Sequence, residues 1–397
     1  MKLDDKISEE EYTKFWEENN NAHFLNAYWW GICNQNKRKQ TPLYVGLRDK
    51  NNQLVAATLL LKRATPFKMC YFYAPRGYLI DWNNKKLIKD FTDALKEFLK
   101  KQNAIYLKVD PAITYHDVDN EAAKVPDGHN NYDLFNYLKT LGYVHQGFNK
   151  LYEKNQPRYT FRTIFKNYHS KEELDQSISK TFMRTIKRSY NYNLDITINN
   201  NVNDFYDLAT KVAKKDNFQS YSKKYYEDIM KYYGEHGYIK NFVAKINPKE
   251  LIAKFTSELT NEKNPDRINK LNKDINYLNN IPQDKHIIAS LICIYTKHGA
   301  WSLYIGNDDT AEYTGTVNRL YYEFLIDAYN NHYDFADLFG VCGDPHTKYK
   351  NLAGIFAYKQ KLGGTCLEFI GEFDLINKPF WYKALPNLLK IYRSLKK

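Results

Sequence analysis

The sequence predicts an α/β fold of the α+β kind: two consecutive halves, the second interrupted by an inserted antiparallel helical hairpin. Three observations carry this. Helix-like and strand-like segments alternate through residues 1–148 and again through 149–246 and 284–378, with short turns that make most strand pairs antiparallel. Residues 247–283 show a helical period and no strand alternation. The chain has 397 residues and is 43% hydrophobic, enough for two ordinary cores and too apolar for a disordered polymer.

In the first half, residues 43–47 and 54–61 read as a hairpin around Lys50-Asn51-Asn52. A strand at 69–73 runs through Ala74-Pro75-Arg76-Gly77 into a helix over 85–101. The strand 104–109 then ends at Asp110-Pro111. A helix over 131–141 stops at Gly142, where glycine accepts the left-handed residue that ends a helix. The second half opens with a strand at 159–164, a basic helix at 180–189 and a strand at 194–198. Helices around 202–216 and 223–233 lead to a strand at 239–244. Beyond the insertion come hairpin strands 287–295 and 299–305 and a helix at 316–330.

Within the insertion, Leu251, Phe255 and Leu259 lie one turn apart. After Asn264-Pro265, Ile268, Leu271, Ile275 and Leu278 fall at a/d spacing. Pro265 suits a helix start and Pro282 follows its end. Two such short helices are marginal alone, so the arm is expected to lean on the body. The tail 379–397 places Trp381, Leu385, Leu388, Leu389 and Tyr392 on one face and is expected to pack back as a helix on the first half.

A formal charge of +12 points to an anionic partner: nucleic acid, a phosphorylated substrate or a phospholipid surface. The five cysteines, at 33, 70, 293, 342 and 366, have no C-x-x-C spacing and fit reduced thiols in a cytosolic setting. No H-E-x-x-H, G-x-S-x-G or metal-ligand spacing is present, so neither a metal nor a serine triad is expected. The opening MKLDDKISEEEY has no apolar run, and the longest apolar runs, 54–61 and 287–295, are too short to span a bilayer. The expectation is a cytoplasmic protein, with peripheral contact at the inner membrane face if its substrate is lipid-linked.

The stretch 333–374 is the most informative. It reads as a strand ending at Phe339-Gly340, a small-residue turn, a short helix, then Tyr358-Lys359 leading into Leu362-Gly363-Gly364 and a last strand at 366–370. Lys359, between an aromatic run and a glycine turn, suits a single cation held against a substrate. The plainer alternative is a strand–loop–helix–strand unit with a solvated lysine.

This segment resembles the C-terminal signature of the FemABX/MurMN family of interpeptide-bridge aminoacyltransferases, "F-K-x-G-[FY]-G" followed by "Y-[IL]-G-[ED]-F". Tyr358-Lys359-Gln360-Lys361-Leu362-Gly363 and Phe369-Ile370-Gly371-Glu372-Phe373 stand in those places, with Lys361 where the family has glycine. Phe24-Leu25-Asn26-Ala27-Tyr28-Trp29-Trp30 is similar to the family's entry helix, and the run from Tyr71 through Arg76-Gly77 to Asp81 to its "Y-x-P-R-G-P-[IL]-x-D". Lys108-Val109-Asp110-Pro111 and Gln156-Pro157-Arg158 resemble its "D-P" and "Q-P-R". The insertion falls where the family carries a helical arm.

The resemblance implies two GNAT-like domains and no cofactor beyond aminoacyl-tRNA as co-substrate. It implies transfer of Ala, Ser or Gly to the stem-peptide lysine of lipid II or UDP-MurNAc-pentapeptide. Lys359 matches the lysine with a transition-state role, where a cation would stabilise the oxyanion formed on the ester carbonyl. Arg76, Tyr304, Tyr358 and Gly363 are carried over as substrate-binding positions.

The basic helix adds Arg184, Lys187 and Arg188, cations suited to phosphates. Lys180, Arg184 and Arg188 share its face, while Met183 stands where the family has arginine. Asp110 is a candidate acceptor for the amine's proton, though Asp-Pro after a strand is commonly a turn. Two other readings stay open. An acyl-CoA N-acyltransferase would want a glycine-rich pyrophosphate loop, which Pro75-Arg76-Gly77-Tyr78 does not supply. A non-enzymatic RNA- or membrane-surface-binding protein would satisfy the charge alone.

Overall fold

The computed structural model describes the chain except residues 39, 66, 216–218 and 395–397, and the side chains of 37, 38 and 389–394. Two sheets form it. In order across the first are Lys2–Asp4, Thr41–Arg48, Leu54–Ala64, Cys70–Ala74, Ala104–Val109, Phe373–Ile376 and Tyr143–His145. Across the second are Thr114–Asp117, Thr365–Phe369, Tyr159–Ile164, Phe335–Asp337, Gly299–Asn307, His286–Tyr295, Ile239–Ile246 and Asp195–Asn199. The expected class, two α/β halves with mainly antiparallel strands, is the one observed.

Each sheet has one parallel pair, and each arises from a helical crossover. Cys70–Ala74 passes through helix Lys85–Lys101 to Ala104–Val109, and Gly299–Asn307 through helix Thr316–Asn330 to Phe335–Asp337. The loops leaving the two crossover strands, at Asp110 and at Phe339, border the candidate site. Both helices begin and end where the sequence places them; at Asn84 the side chain accepts the N–H of Leu87 and fixes the start.

Two strands cross the sequence division at 148/149. Phe373–Ile376 enters the first sheet between Ala104–Val109 and Tyr143–His145, while Thr114–Asp117 edges the second sheet beside Thr365–Phe369. An aromatic core shared by both halves adds to this exchange. Trp16, Phe24 and Trp29 of the N-terminal helices pack against Tyr233, Tyr238 and Trp301 of the second half, with ring centroids 5.4–5.7 Å apart. Tyr233 donates its hydroxyl proton to the carbonyl of Phe24 at 2.6 Å.

The insertion forms two helices, Pro248–Asn261 and Pro265–Asn279, each opened by an asparagine cap and a proline. The hairpin lies on the second half instead of standing clear of it. Leu251, Phe255, Leu271 and Leu278 are buried in that half's main core, a burial worth on the order of 6–12 kcal/mol as an upper estimate. Asp274 accepts the hydroxyls of Tyr192 at 3.1 Å and Tyr313 at 2.7 Å, and Tyr277 stacks on Tyr313 at 3.8 Å.

Helix Pro379–Ser394 packs Trp381, Tyr382 and Leu385 on Met69, Tyr71, Ile105 and Tyr106 of the first sheet. The side chains of Leu389 and Tyr392, and residue 216 at the end of the helix expected around 202–216, lie outside the described residues. Among the described residues no disulfide forms, no group of side chains has metal-ligand geometry, and no helix is long and apolar enough to cross a membrane.

Candidate active site

A cavity of about 350 Å³ opens between the halves. The first half contributes Trp30, Leu61, Arg63 and Tyr73, the connecting segment Tyr152 and Pro157, and the second half Tyr225, Tyr304, Phe339 and Gly340. The walls are aromatic, and Arg63 supplies a cation stacked over Tyr73, 5.3 Å from the ring centroid. A pocket of this kind fits a ligand held by its faces and oriented by a few polar groups.

Lys359 sits behind one wall. It lies near the end of helix Lys350–Gln360, within the helix and not after it, and its ammonium donates to the carbonyls of Phe339 at 2.7 Å and Gly340 at 3.0 Å. Burial pushes its pKa down to about 8, against the nearby Asp337 carboxylate, which pulls it up. At neutral pH it remains mostly charged, one main-chain layer from the cavity.

That layer is strained. Phe339 has φ of +57°, a left-handed conformation uncommon for a large side chain. Asp337 fixes it. Buried at 2% exposure, it accepts the Phe339 N–H at 2.7 Å, the Thr160 hydroxyl at 2.5 Å, and Arg162 through Nε at 3.0 Å and a terminal nitrogen at 2.9 Å. Four donors leave the carboxylate little remaining capacity. Gly340 must be glycine because a Cβ there would stand 2.2 Å from Pro157 Cγ.

On the opposite wall Tyr73 donates to Asp110 Oδ2 at 2.8 Å, and Asp110 Oδ1 accepts the main-chain N–H of Arg76 at 2.7 Å. Burial pushes the Asp110 carboxyl up to about 7; the Arg76 charge and these hydrogen bonds oppose it, and Glu372 adds to the rise. A carboxylate poised near neutrality, reached from the cavity through a tyrosine, has the chemistry of a proton exit.

The structure gathers some of the sequence-derived candidates and not others. Tyr304 lines the cavity and shares a 2.8 Å hydrogen bond with Tyr225, while Lys359 stands behind the Phe339–Gly340 wall. Arg76 is buried beside it and donates to the Pro157 carbonyl at 3.1 Å, so the "P-R-G" and "Q-P-R" segments meet and join the halves. Tyr358 is half-buried against the core of the second half, packed on Phe182 and Tyr321. Gly363, at φ +82°, turns the chain against Ser177, where a Cβ would fall 2.8 Å from a carbonyl oxygen. Arg184, Lys187 and Arg188 project from helix Lys180–Ser189, which buries Phe182 and Ile186 on its other face. None of the three lines the cavity.

Arg63, Tyr73, Asp337 and Arg162 escaped the sequence reading. The one available signal was charge: Arg162 and Asp337 interrupt otherwise apolar or small-residue strands.

Fold and cavity together describe an α/β protein of two sheets with a candidate active site where its halves meet. The chain belongs to the FemAB family, whose model matches residues 7–285 and 260–390. It is 27% identical over 450 aligned positions to the lipid II:glycine glycyltransferase of Staphylococcus aureus, covering 98% of this chain and 99% of that one. It is 25% identical to the aminoacyltransferase FemA of Staphylococcus epidermidis, covering 89% of each. The crystal structure of FemX superposes with a TM-score of 0.76 at 21% identity, over 96% of this chain and 99% of that one, and so shares the fold. The protein is accordingly an enzyme of the aminoacyltransferase class.

Proposed function

We propose that the enzyme builds a peptidoglycan interpeptide bridge. It transfers an amino acid from aminoacyl-tRNA to the stem-peptide lysine amine of a lipid-linked precursor. Glycine is the favoured donor among glycine, alanine and serine, and lipid II the favoured acceptor over UDP-MurNAc-pentapeptide. The full-length match to a lipid II:glycine glycyltransferase supports both choices. The observation that carries the reading is the ammonium of Lys359 held behind the wall of an inter-domain cavity.

In the reaction the neutral amine attacks the ester carbonyl and a C–N bond forms. The carbonyl electrons collect on oxygen, and collapse expels the tRNA 3′-terminal ribose oxygen, which takes back through Tyr73 the proton that Asp110 received from the attacking nitrogen. The ester is already activated, so no covalent enzyme intermediate is needed. Lys359 contributes positive potential at the developing oxyanion. Tyr73 takes the proton shed by the attacking nitrogen as its own passes to Asp110. Arg63 and the aromatic walls orient the aminoacyl end.

The cations of helix Lys180–Ser189 hold tRNA phosphates by charge. The hairpin, with six Lys and Arg against five Asp and Glu, adds little to that field. The absence of a membrane-crossing helix among the described residues fits a role at the inner face of the membrane without requiring it.

The test is a matrix of glycyl-, alanyl- and seryl-tRNA against lipid II and UDP-MurNAc-pentapeptide, read by product mass. A mass gain of one glycine on lipid II supports the reading in full; no gain on either acceptor rejects it.

A further inference from the structure

A second, smaller cavity of about 160 Å³ also lies between the halves, lined by Asn21, His23, Arg76, Arg162, Trp301 and Phe335 among others. That is room for several waters or one small ion. Asp337 connects it to the larger cavity, since one carboxylate oxygen takes Arg162 and the other takes the N–H of Phe339.

Four of the lining side chains, His23, Arg76, Arg162 and Trp301, bring N–H donors, beside the amides of Asn20 and Asn21. Arg76 is 6% exposed, and while one terminal nitrogen donates to Pro157, its Nε is buried without a partner. Trp301 is 1% exposed and its indole Nε1 is likewise buried without a partner. His23, 4% exposed, accepts the N–H of Leu25 on Nδ1 at 3.0 Å, which leaves its proton on Nε2. Burial, with the charges of Arg76 and Arg162, holds its pKa well below the usual value, so the ring is a neutral donor. Two fully buried N–H groups without acceptors are costly in a folded chain, and both belong to residues that line one cavity.

We propose that this smaller cavity binds one small oxyanion, a carboxylate or a phosphate, through Arg76 Nε, Trp301 Nε1 and His23 Nε2, with Arg162 adding charge. A water offers two lone pairs to these donors, whereas an oxyanion offers more, and it also matches the guanidinium charge. Asp337 offsets part of the charge of Arg162, and Asp110 backs Arg76 from the main-chain side. Arg76 itself lines the cavity. Assigning the oxyanion to a substrate rests on the proposed function: a peptide carboxylate would come from the acceptor stem, and a phosphate from either substrate. The binding itself does not depend on that reading.

The experiment is calorimetric titration of the full chain with potassium phosphate and, separately, with N-acetyl-D-alanine, each against chloride at equal ionic strength. At least one probe binds saturably. Trp301→Phe, which keeps a ring against Phe24 and Phe335 and deletes the N–H, weakens that binding about tenfold. Arg63→Met, at the cation of the larger cavity, leaves it unchanged. Phosphate alone binding identifies a phosphate ligand; N-acetyl-D-alanine alone identifies a peptide carboxylate. No binding of either probe, or binding that survives Trp301→Phe, overturns the proposal and leaves water in the cavity. If Trp301→Phe does not fold, Arg76→Lys, which keeps the charge and loses Nε, is read the same way. No aminoacyl-tRNA enters the assay, so failure here and failure of the transfer reaction are distinguishable.

Discussion

Replacing Lys359 with alanine isolates the group on which the proposed mechanism depends. Its ammonium makes two hydrogen bonds, to the carbonyls of Phe339 and Gly340 at 2.7 and 3.0 Å. Gly340 keeps a partner after the substitution, because Tyr152 donates to the same carbonyl at 2.9 Å. Phe339 stays pinned through its N–H to Asp337. The wall should therefore hold its shape while the positive potential behind it disappears. Loss of one oxyanion stabiliser costs roughly two to three orders of magnitude in kcat, or about 3–4 kcal/mol. The KM for charged tRNA should change little, since the proposal places the tRNA body on helix Lys180–Ser189. The pH profile gives a second readout. With a pKa near 8, Lys359 loses its charge as pH rises past that value, so its advantage fades there. Dividing wild-type rates by Lys359→Ala rates cancels the titration of the attacking amine. The ratio should be large and flat below about pH 7 and fall steadily above about pH 8. The assay is steady-state transfer to lipid II across neutral and alkaline pH, with circular dichroism as a check on folding. An unchanged kcat, a loss confined to KM, or a ratio indifferent to pH would each refute the assignment.

Three further outcomes are expected. Asp110 has a folded pKa raised to about 7, so its protonated form contributes stability below about pH 4 that is lost as pH rises to about 7. Asp110→Asn should flatten that slope in urea titrations, and an unaltered slope would contradict the buried placement. Leu271→Ala, at 0% exposure under the hairpin, should cost about 2–5 kcal/mol in the same titrations; a cost below about 1 kcal/mol would mean the hairpin does not pack on the body. Arg184→Glu combined with Arg188→Glu should weaken tRNA binding and reduce its salt slope by about one for each phosphate no longer neutralised, with filter binding as the assay and an unchanged slope the adverse result.

Much of the fold was legible because it is local. Helix Lys180–Ser189 carries its start in the Ser179 cap, and helix Thr316–Asn330 and strand Tyr159–Ile164 show in their hydrophobic periods. The exchanged strands Phe373–Ile376 and Thr114–Asp117 did not show, since their partners lie far away in sequence and strand pairing is not encoded by the strand alone. The hairpin's two helices were legible, but not the surface they cover. A stripe of leucines looks the same whether it faces a sister helix alone or a domain core as well. At the site, Lys359 was recognisable only by resemblance, because one lysine before a glycine turn carries no physical signature of burial. Asp337, Arg162, Arg63 and Trp301 act through contacts between strands and halves that no local pattern reports. The motif residues Arg76, Pro157 and Glu372 clamp the halves together: Arg76 donates to the Pro157 carbonyl, and Glu372 accepts the main-chain N–H of Asn155 at 2.8 Å and pairs with Lys108 at 3.0 Å.

The central claim is that the acyl donor is aminoacyl-tRNA, and the most direct measurement is transfer of radiolabelled glycine to lipid II with the donor as the variable. The account predicts label on lipid II with glycyl-tRNA, none after the tRNA is digested with ribonuclease, and no acetyl transfer from acetyl-CoA. Transfer that survives ribonuclease, or that acetyl-CoA supports in its place, would contradict it.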